Sequence, residues 1–299
     1  MVHRGALFFL VFLLAAGTWQ SQNRTSQGLM ADPSNASRAD VNNALAEICE
    51  PNKIIREPGG NAAGCRGCPK GSGFQDEREM QWDLKRAFAG HFTSASEDNI
   101  ILSSRGCEPH SMNCGGSFVF VLDQGRLKFL KYDQSLITER CHKLRFADGR
   151  DFMICQDQWG AQGSVSYFVY LVAFNQSGES KITRLFETRD WTFTCGEDVD
   201  GSPSGPVQQS EIKSVEFHER TGGELSGLSL KVTRGKKQLT QAEKEACEQS
   251  LKKSNYEKTS LSVTTTEYRI HFSFDSREFK VASASKAILK LFPEPQFPE

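Results

Sequence analysis

Cys65-Arg66-Gly67-Cys68, and downstream Cys107-Glu108-Pro109-His110 with Cys114, have types and spacing suited to chemistry. Together Cys65, Cys68, Cys107, His110 and Cys114 supply thiolates and an imidazole of the kind that hold zinc tetrahedrally. In an oxidising compartment the same cysteines are read first as disulfides, among them Cys107–Cys114. A redox role for Cys65-x-x-Cys68 needs a helix to lower a thiol pKa, and the flanking Gly and Pro deny it one. Haem attachment needs a histidine after Cys68, where the chain has Pro69.

Other reactive types are dispersed. Asp148 and Asp151 flank Gly149 and could form a carboxylate pair, although Asp-Gly is also ordinary hairpin chemistry. No Gly-x-Ser-x-Gly elbow is present. His91, His110, His142, His218 and His271 are scattered, without the spacing of a base beside a nucleophile. Lys70-Gly71-Ser72 lacks the glycine spacing of a phosphate loop. Arg234-Gly235-Lys236-Lys237 reads as a solvated turn. The residues therefore assign nothing to catalysis and nothing to cofactor binding.

The elements that must position these groups are mostly strands. Asp40 is expected to cap a short helix, with Val41, Leu45 and Ile48 on one face. From Cys49 to Gly73 the chain is dense in Gly, Pro and Cys and reads as irregular. From Trp82 it turns to β: Asn99–Leu102, Ser117–Leu122 and Leu127–Tyr132, with Asp123-Gln124-Gly125 as a turn. The order recurs in Asp151–Cys155, Ser166–Phe174 and Lys181–Phe186, offset by about fifty residues, a spacing seen in propeller blades. Phe168, Tyr170 and Phe174 share a strand face and read as sheet core. Beyond Ser210, Ile212–Phe217, Leu225–Val232, Ser260–Phe274 and Glu278–Val281 read as strands. Thr240 and Glu243 form a capping box that opens one helix among them.

One pairing can be argued from turn length. Cys141–Phe146 and Arg150–Cys155 alternate as strands about Ala147-Asp148-Gly149, a three-residue turn with Gly at the left-handed position. That register places Leu144 opposite Phe152 and Cys141 opposite Cys155, close enough to bridge. A two-residue Asp-Gly turn would instead part the cysteines.

Composition sets the wider frame. The chain has 299 residues, 21 of them Phe, and a formal net charge of −1, so nothing electrostatic points to nucleic acid. A basic start, an apolar run from Ala6 to Ala16 and the small residues Ala15-Ala16-Gly17 fit a signal peptide, and the run falls short of the ~20 residues that span a bilayer. The expected organisation is a signal peptide at 1–17, a disordered leader at 18–39 and a Cys/Gly-rich segment at 40–81. A β-repeat region at 82–195, a linker at 196–210, an α+β unit at 211–292 and a tail at 293–299 follow. Nine cysteines fit a secreted or periplasmic location. Asn23, Asn35 and Asn175 each open a glycosylation triplet.

The stretch Gly90-His91-Phe92-Thr93-Ser94-Ala95-Ser96-Glu97-Asp98-Asn99-Ile100-Ile101-Leu102 resembles the FG-GAP or VCBS-type repeat of integrin-like β-propellers. Gly115-Gly116-Ser117 resembles the Gly-rich entry to the next strand, and Phe146–Ile154 a degenerate second copy. The resemblance covers about residues 82–187 and implies a blade-like fold. It does not carry the family's calcium, because ligand positions hold His91, Thr93 and Ala95, leaving only Glu97 and Asp98.

The expected fold class is mainly β: blade-like antiparallel repeats, a partial or irregular β-propeller, with a small α+β C-terminal unit. The expected function is non-catalytic binding of a protein or carbohydrate ligand, or a structural role, with no cofactor and no membrane span after signal cleavage. A secreted hydrolase using loop carboxylates at a repeat junction is one alternative, and a zinc-stabilised secreted domain another. Convergent acids in a deep pocket would favour the enzyme.

Overall fold

A computed structural model describes residues 36–73, 81–107, 115–134, 136–161, 164–192, 195, 206–219, 225–252, 261–275 and 278–292. The expected signal peptide and tail, the leader up to residue 35, the triplets at Asn23 and Asn35, and His110 and Cys114 lie outside these residues, whereas residues 37–39, expected in the leader, already open a helix.

The protein is mainly β, and the described residues form three antiparallel sheets whose strands follow one another in chain order. The first contains β1 (Ile54–Arg56), β2 (Ala62–Arg66), β3 (Gln81–Gly90), β4 (Asn99–Gly106), β5 (Gly116–Asp123) and β6 (Arg126–Gln134). The middle sheet contains β7 (Cys141–Arg145), β8 (Asp151–Ala161), β9 (Ser164–Phe174) and β10 (Ser180–Asp190). The third contains β11 (Val207–Glu219), β12 (Leu225–Lys237), β13 (Thr266–Asp275) and β14 (Glu278–Val281). The two segments expected to repeat, Asn99–Tyr132 and Asp151–Phe186, have the same strand order.

Strand alternation explains how the sheets stack. Met153, Cys155, Tyr170 and Val172 on one face of the middle sheet pack with Phe88, Ile101 and Val119 of the first. Phe152, Ile154, Val169 and Leu171 on the other face pack with Leu228, Leu230, Val232, Ile270 and Phe272 of the third. At its centre the middle sheet is buried on both sides, so Phe152–Cys155 and Val169–Val172 are continuously apolar, whereas β7 and the first half of β10 carry polar, exposed residues. The outer face of the first sheet (Ile100, Leu102, Phe118, Phe120) is closed by helix α1 (Arg38–Ile48) through Ala44, Leu45 and Ile48.

Local chemistry sets the turns. Gln124 and Gly125 both have positive φ, 49° and 79°, and join Asp123 to Arg126. That is the two-residue hairpin turn whose twist matches the strands. The expected three-residue turn at 147–149 is present: Gly149 has φ 86°, and the Phe146 N–H donates to the Arg150 carbonyl at 2.7 Å.

Several boundaries differ from expectation. Ser37, not Asp40, is the N-cap of α1, and Asp40 is the third residue that completes its capping box. The Cys/Gly-rich segment contributes β1 and β2 to the first sheet, because β2 pairs with β3. Arg234 to Lys237 continue β12 rather than forming a turn, and Arg234 lies over the Phe292 ring at 5.2 Å. Residues 261–265 are not strand, so β13 starts at Thr266. The second helix, α2 (Gln241–Lys252), opens on the expected box, with the Glu243 carboxylate accepting from the Thr240 N–H at 3.0 Å.

Among the described residues four disulfides join Cys49–Cys65, Cys68–Cys107, Cys141–Cys155 and Cys195–Cys247. They place the chain in an oxidising environment during maturation. The Cys107–Cys114 pairing is corrected: pairing of Gly106 with Trp82 swings Cys107 back across β3, where Cys68 meets it. The zinc set Cys65, Cys68, Cys107, His110, Cys114 fails on the same ground, since Cys65, Cys68 and Cys107 have no thiolate left to give. Cys141 faces Cys155 in the β7–β8 register, with Cα atoms 4.0 Å apart. No described helix is long and apolar enough to cross a membrane.

Candidate functional site: a cleft at the turn end of the middle sheet

Three connections gather at one end of the first two sheets: loop 91–98, turn 146–150 and turn 175–179. Asn99 organises the first. Its side-chain oxygen accepts the Phe92 N–H (2.8 Å), the Thr93 N–H (2.9 Å) and the Thr93 hydroxyl (3.0 Å), and its amide donates to the Phe120 carbonyl. Glu97 accepts from the hydroxyls of Thr93 and Ser94. The loop of the family resemblance is thus held by an amide and hydroxyls.

Asp151 ties this loop to the middle sheet. Its side chain is 2% exposed and accepts the His91 N–H at 2.8 Å and the Arg145 Nε at 3.0 Å. The Asp151 N–H in turn donates to the His91 carbonyl, and Lys143 Nζ lies 4.0 Å from the carboxylate. Gly90 must be glycine here, since a Cβ would lie 2.4 Å from Asp151 Oδ2. The hydrogen bond and charge of Asp151 raise the Arg145 pKa.

Asp148 and Asp151 therefore have separate roles. Asp148 stays at the turn and accepts from the Arg150 N–H and guanidinium. Turn 175–179 is closed by Asn175, whose oxygen takes the N–H groups of Ser177 and Glu179 and the Ser177 hydroxyl, while its amide donates to Glu179. The amide nitrogen that would carry a glycan is thus engaged in the turn. Gly178 packs on Leu130 and Lys131, and Ser180 bonds Asp133, so this turn is anchored to β6.

Between turns 146–150 and 175–179 lies a cleft of about 460 Å³, within the range of small-ligand sites. Its floor is Leu171, Ala173 and Thr183, its wall Phe146, and its rim Asp148, Arg150, Glu179 and Lys181. The rim carries two acids and two bases. Asp148 pairs with Arg150 at 2.9 Å and Glu179 with Lys131 at 3.7 Å. A hydrogen bond from Asn175 and the Lys131 charge hold the Glu179 carboxyl below its ordinary value, so it is an acceptor and not a proton donor at neutral pH. Lys181 has no ion-pair partner among the described residues.

A carboxyl with the opposite character lies elsewhere. Burial raises the pKa of Asp157 against the opposing backbone hydrogen bond from Gln158 and the charge of Arg140. Asp157 is six residues along β8 from Asp151, roughly 20 Å at strand rise, so it does not join the cleft acids. Because the fold favours its protonated form, its carboxylate costs stability above the raised pKa, and that cost fades as pH falls to the ordinary value of 3.8. Asp157→Asn, which keeps an oxygen for the Gln158 N–H, is expected to raise the thermal midpoint at pH 7 and to leave it unchanged at pH 3. Equal gains at both pH values would remove the charge as the cause.

Sequence reasoning missed Arg145 and Lys143 as partners of Asp151, and Lys181 and Thr183 as cleft residues. Period-two alternation across β7 and β10 was the available signal for their faces. It also missed that His218 and His271, 53 positions apart, converge on Ser229. No metal-holding group of three or more His, Cys, Asp and Glu occurs among the described residues. No family model, curated protein or solved structure matches the chain.

Proposed function

We propose that this chain is a secreted or periplasmic, non-catalytic binding protein, and that the cleft at the turn end of the middle sheet holds a carbohydrate unit. The observation that carries this reading is the cleft itself: an apolar floor beside Phe146, ringed by donors and acceptors whose carboxylates are already in ion pairs. Hydroxyl-rich ligands need both kinds of polar partner around an apolar patch. The hydrolase reading would need an acid of raised pKa beside a second carboxylate in the cleft. Asp157 stands apart from Asp148 and Glu179, and the carboxylate whose charge it feels, Glu139, is held by Arg105 at 2.8 Å outside the cleft lining. Three successive antiparallel meanders packed face to face support the blade-like, FG-GAP-type reading of the scaffold. In that reading the turns are the ligand-presenting part.

Thr183 is exposed on the cleft floor, so Thr183→Trp fills the cleft without entering the core. Glycan-array screening of the purified chain, followed by calorimetry, is expected to find a ligand that Thr183→Trp no longer binds. Lys181→Ala is expected to weaken it about tenfold, the worth of one charge-assisted hydrogen bond. Binding that survives Thr183→Trp intact would move the site elsewhere.

A further inference from the structure

The solvent-facing side of the third sheet carries a feature independent of the cleft. Ser229, at the middle of β12, is 2% exposed. His218 Nε2 on β11 lies 2.5 Å from its hydroxyl oxygen, and His271 Nδ1 on β13 lies 2.7 Å from the same atom. The strand register explains the convergence. His271 stands directly opposite Ser229, while His218 stands opposite Gly227, whose missing side chain lets the imidazole lean across to Ser229. The His271 N–H donates to Ser285 Oγ at 2.8 Å, which fixes the backbone behind that ring.

From these positions we infer that His218 and His271 form a two-imidazole chelate for a late first-row divalent cation, zinc or copper. Two nitrogens within reach of one oxygen are at most about 5 Å apart, and small rotations of two exposed rings bring them to the roughly 2.0–2.1 Å metal distance that imidazole requires. Imidazole pairs favour Cu²⁺ over Zn²⁺. Both nitrogens must present lone pairs. In the hydroxyl-bridged form one of them accepts the Ser229 proton and the other donates its own to Ser229 Oγ, so binding requires that second ring to change tautomer. Water completes the shell, because Glu216, opposite Ser229 on β11, is paired with Arg269 at 3.6 Å. His142 serves as an internal control: it is stacked on Phe217, which packs against the core on the opposite face from His218.

Calorimetric titration of the full, disulfide-bonded chain with zinc chloride and with copper sulfate tests the inference. One equivalent is expected to bind, copper more tightly. His218→Ala and His271→Ala are each expected to weaken binding at least tenfold, and Ser229→Ala to retain it. In the native protein, Cu²⁺ is expected to broaden the ring NMR signals of His218 and His271 before those of His142, a readout that needs no variant. Absence of saturable binding of either metal, binding that survives either histidine change, or first broadening at any other histidine overturns it.

Discussion

Replacing Asp151 with alanine is expected to remove about 3 kcal/mol of folding stability, read as a lower urea midpoint at unchanged slope. The size follows from what the carboxylate serves. It is 2% exposed, and its loss leaves the His91 N–H without its acceptor and takes the counter-charge from Arg145 and Lys143 at the junction of two sheets. Lys143 retains the Ala89 carbonyl at 2.7 Å, which limits the damage. Asp151→Asn keeps an oxygen for the His91 N–H but not the charge, and is expected to cost about half as much. Arg145 is 59% exposed, so Arg145→Ala is expected to cost only about 1 kcal/mol or less. If Asp151→Ala costs no more than Arg145→Ala, the carboxylate does not hold the junction.

Removing the Cys141–Cys155 bridge with paired alanines is expected to cost about 3 kcal/mol, the loop-closure value for a separation of 14 residues. Both cysteines are buried between the first and middle sheets, against Met153, Tyr170 and Val172, so the lost sulfurs add a packing cost. Chemical denaturation of the double variant measures the sum. A non-reduced digest checks the assignment directly, by recovering Cys141 joined to Cys155. Recovery of Cys141 free or joined to another cysteine would show that the β7–β8 register is wrong.

What the residues determined alone is short-range. The alternation beside Ala147-Asp148-Gly149 limits the β7–β8 register to two turn lengths, because a hairpin's pairing is set within a few residues of its turn, and the structure selects the three-residue one. The Gln124-Gly125 turn, the capping box of α2 and the strand-turn-strand order of Asn99–Tyr132 and Asp151–Phe186 are local in the same sense. Long-range partners were decided by tertiary structure. Cys68 and Cys107 are 39 residues apart and Cys195 and Cys247 are 52 apart, and thiols so separated can be matched only once the sheets have formed. Asp151 reads as a turn residue until the β3–β4 loop closes over it. The cleft exists because two turns, from different hairpins, end at one height on the middle sheet. Ser229 joins two histidines because β11 and β13 flank β12, a neighbourhood set by strand pairing and invisible to spacing along the chain.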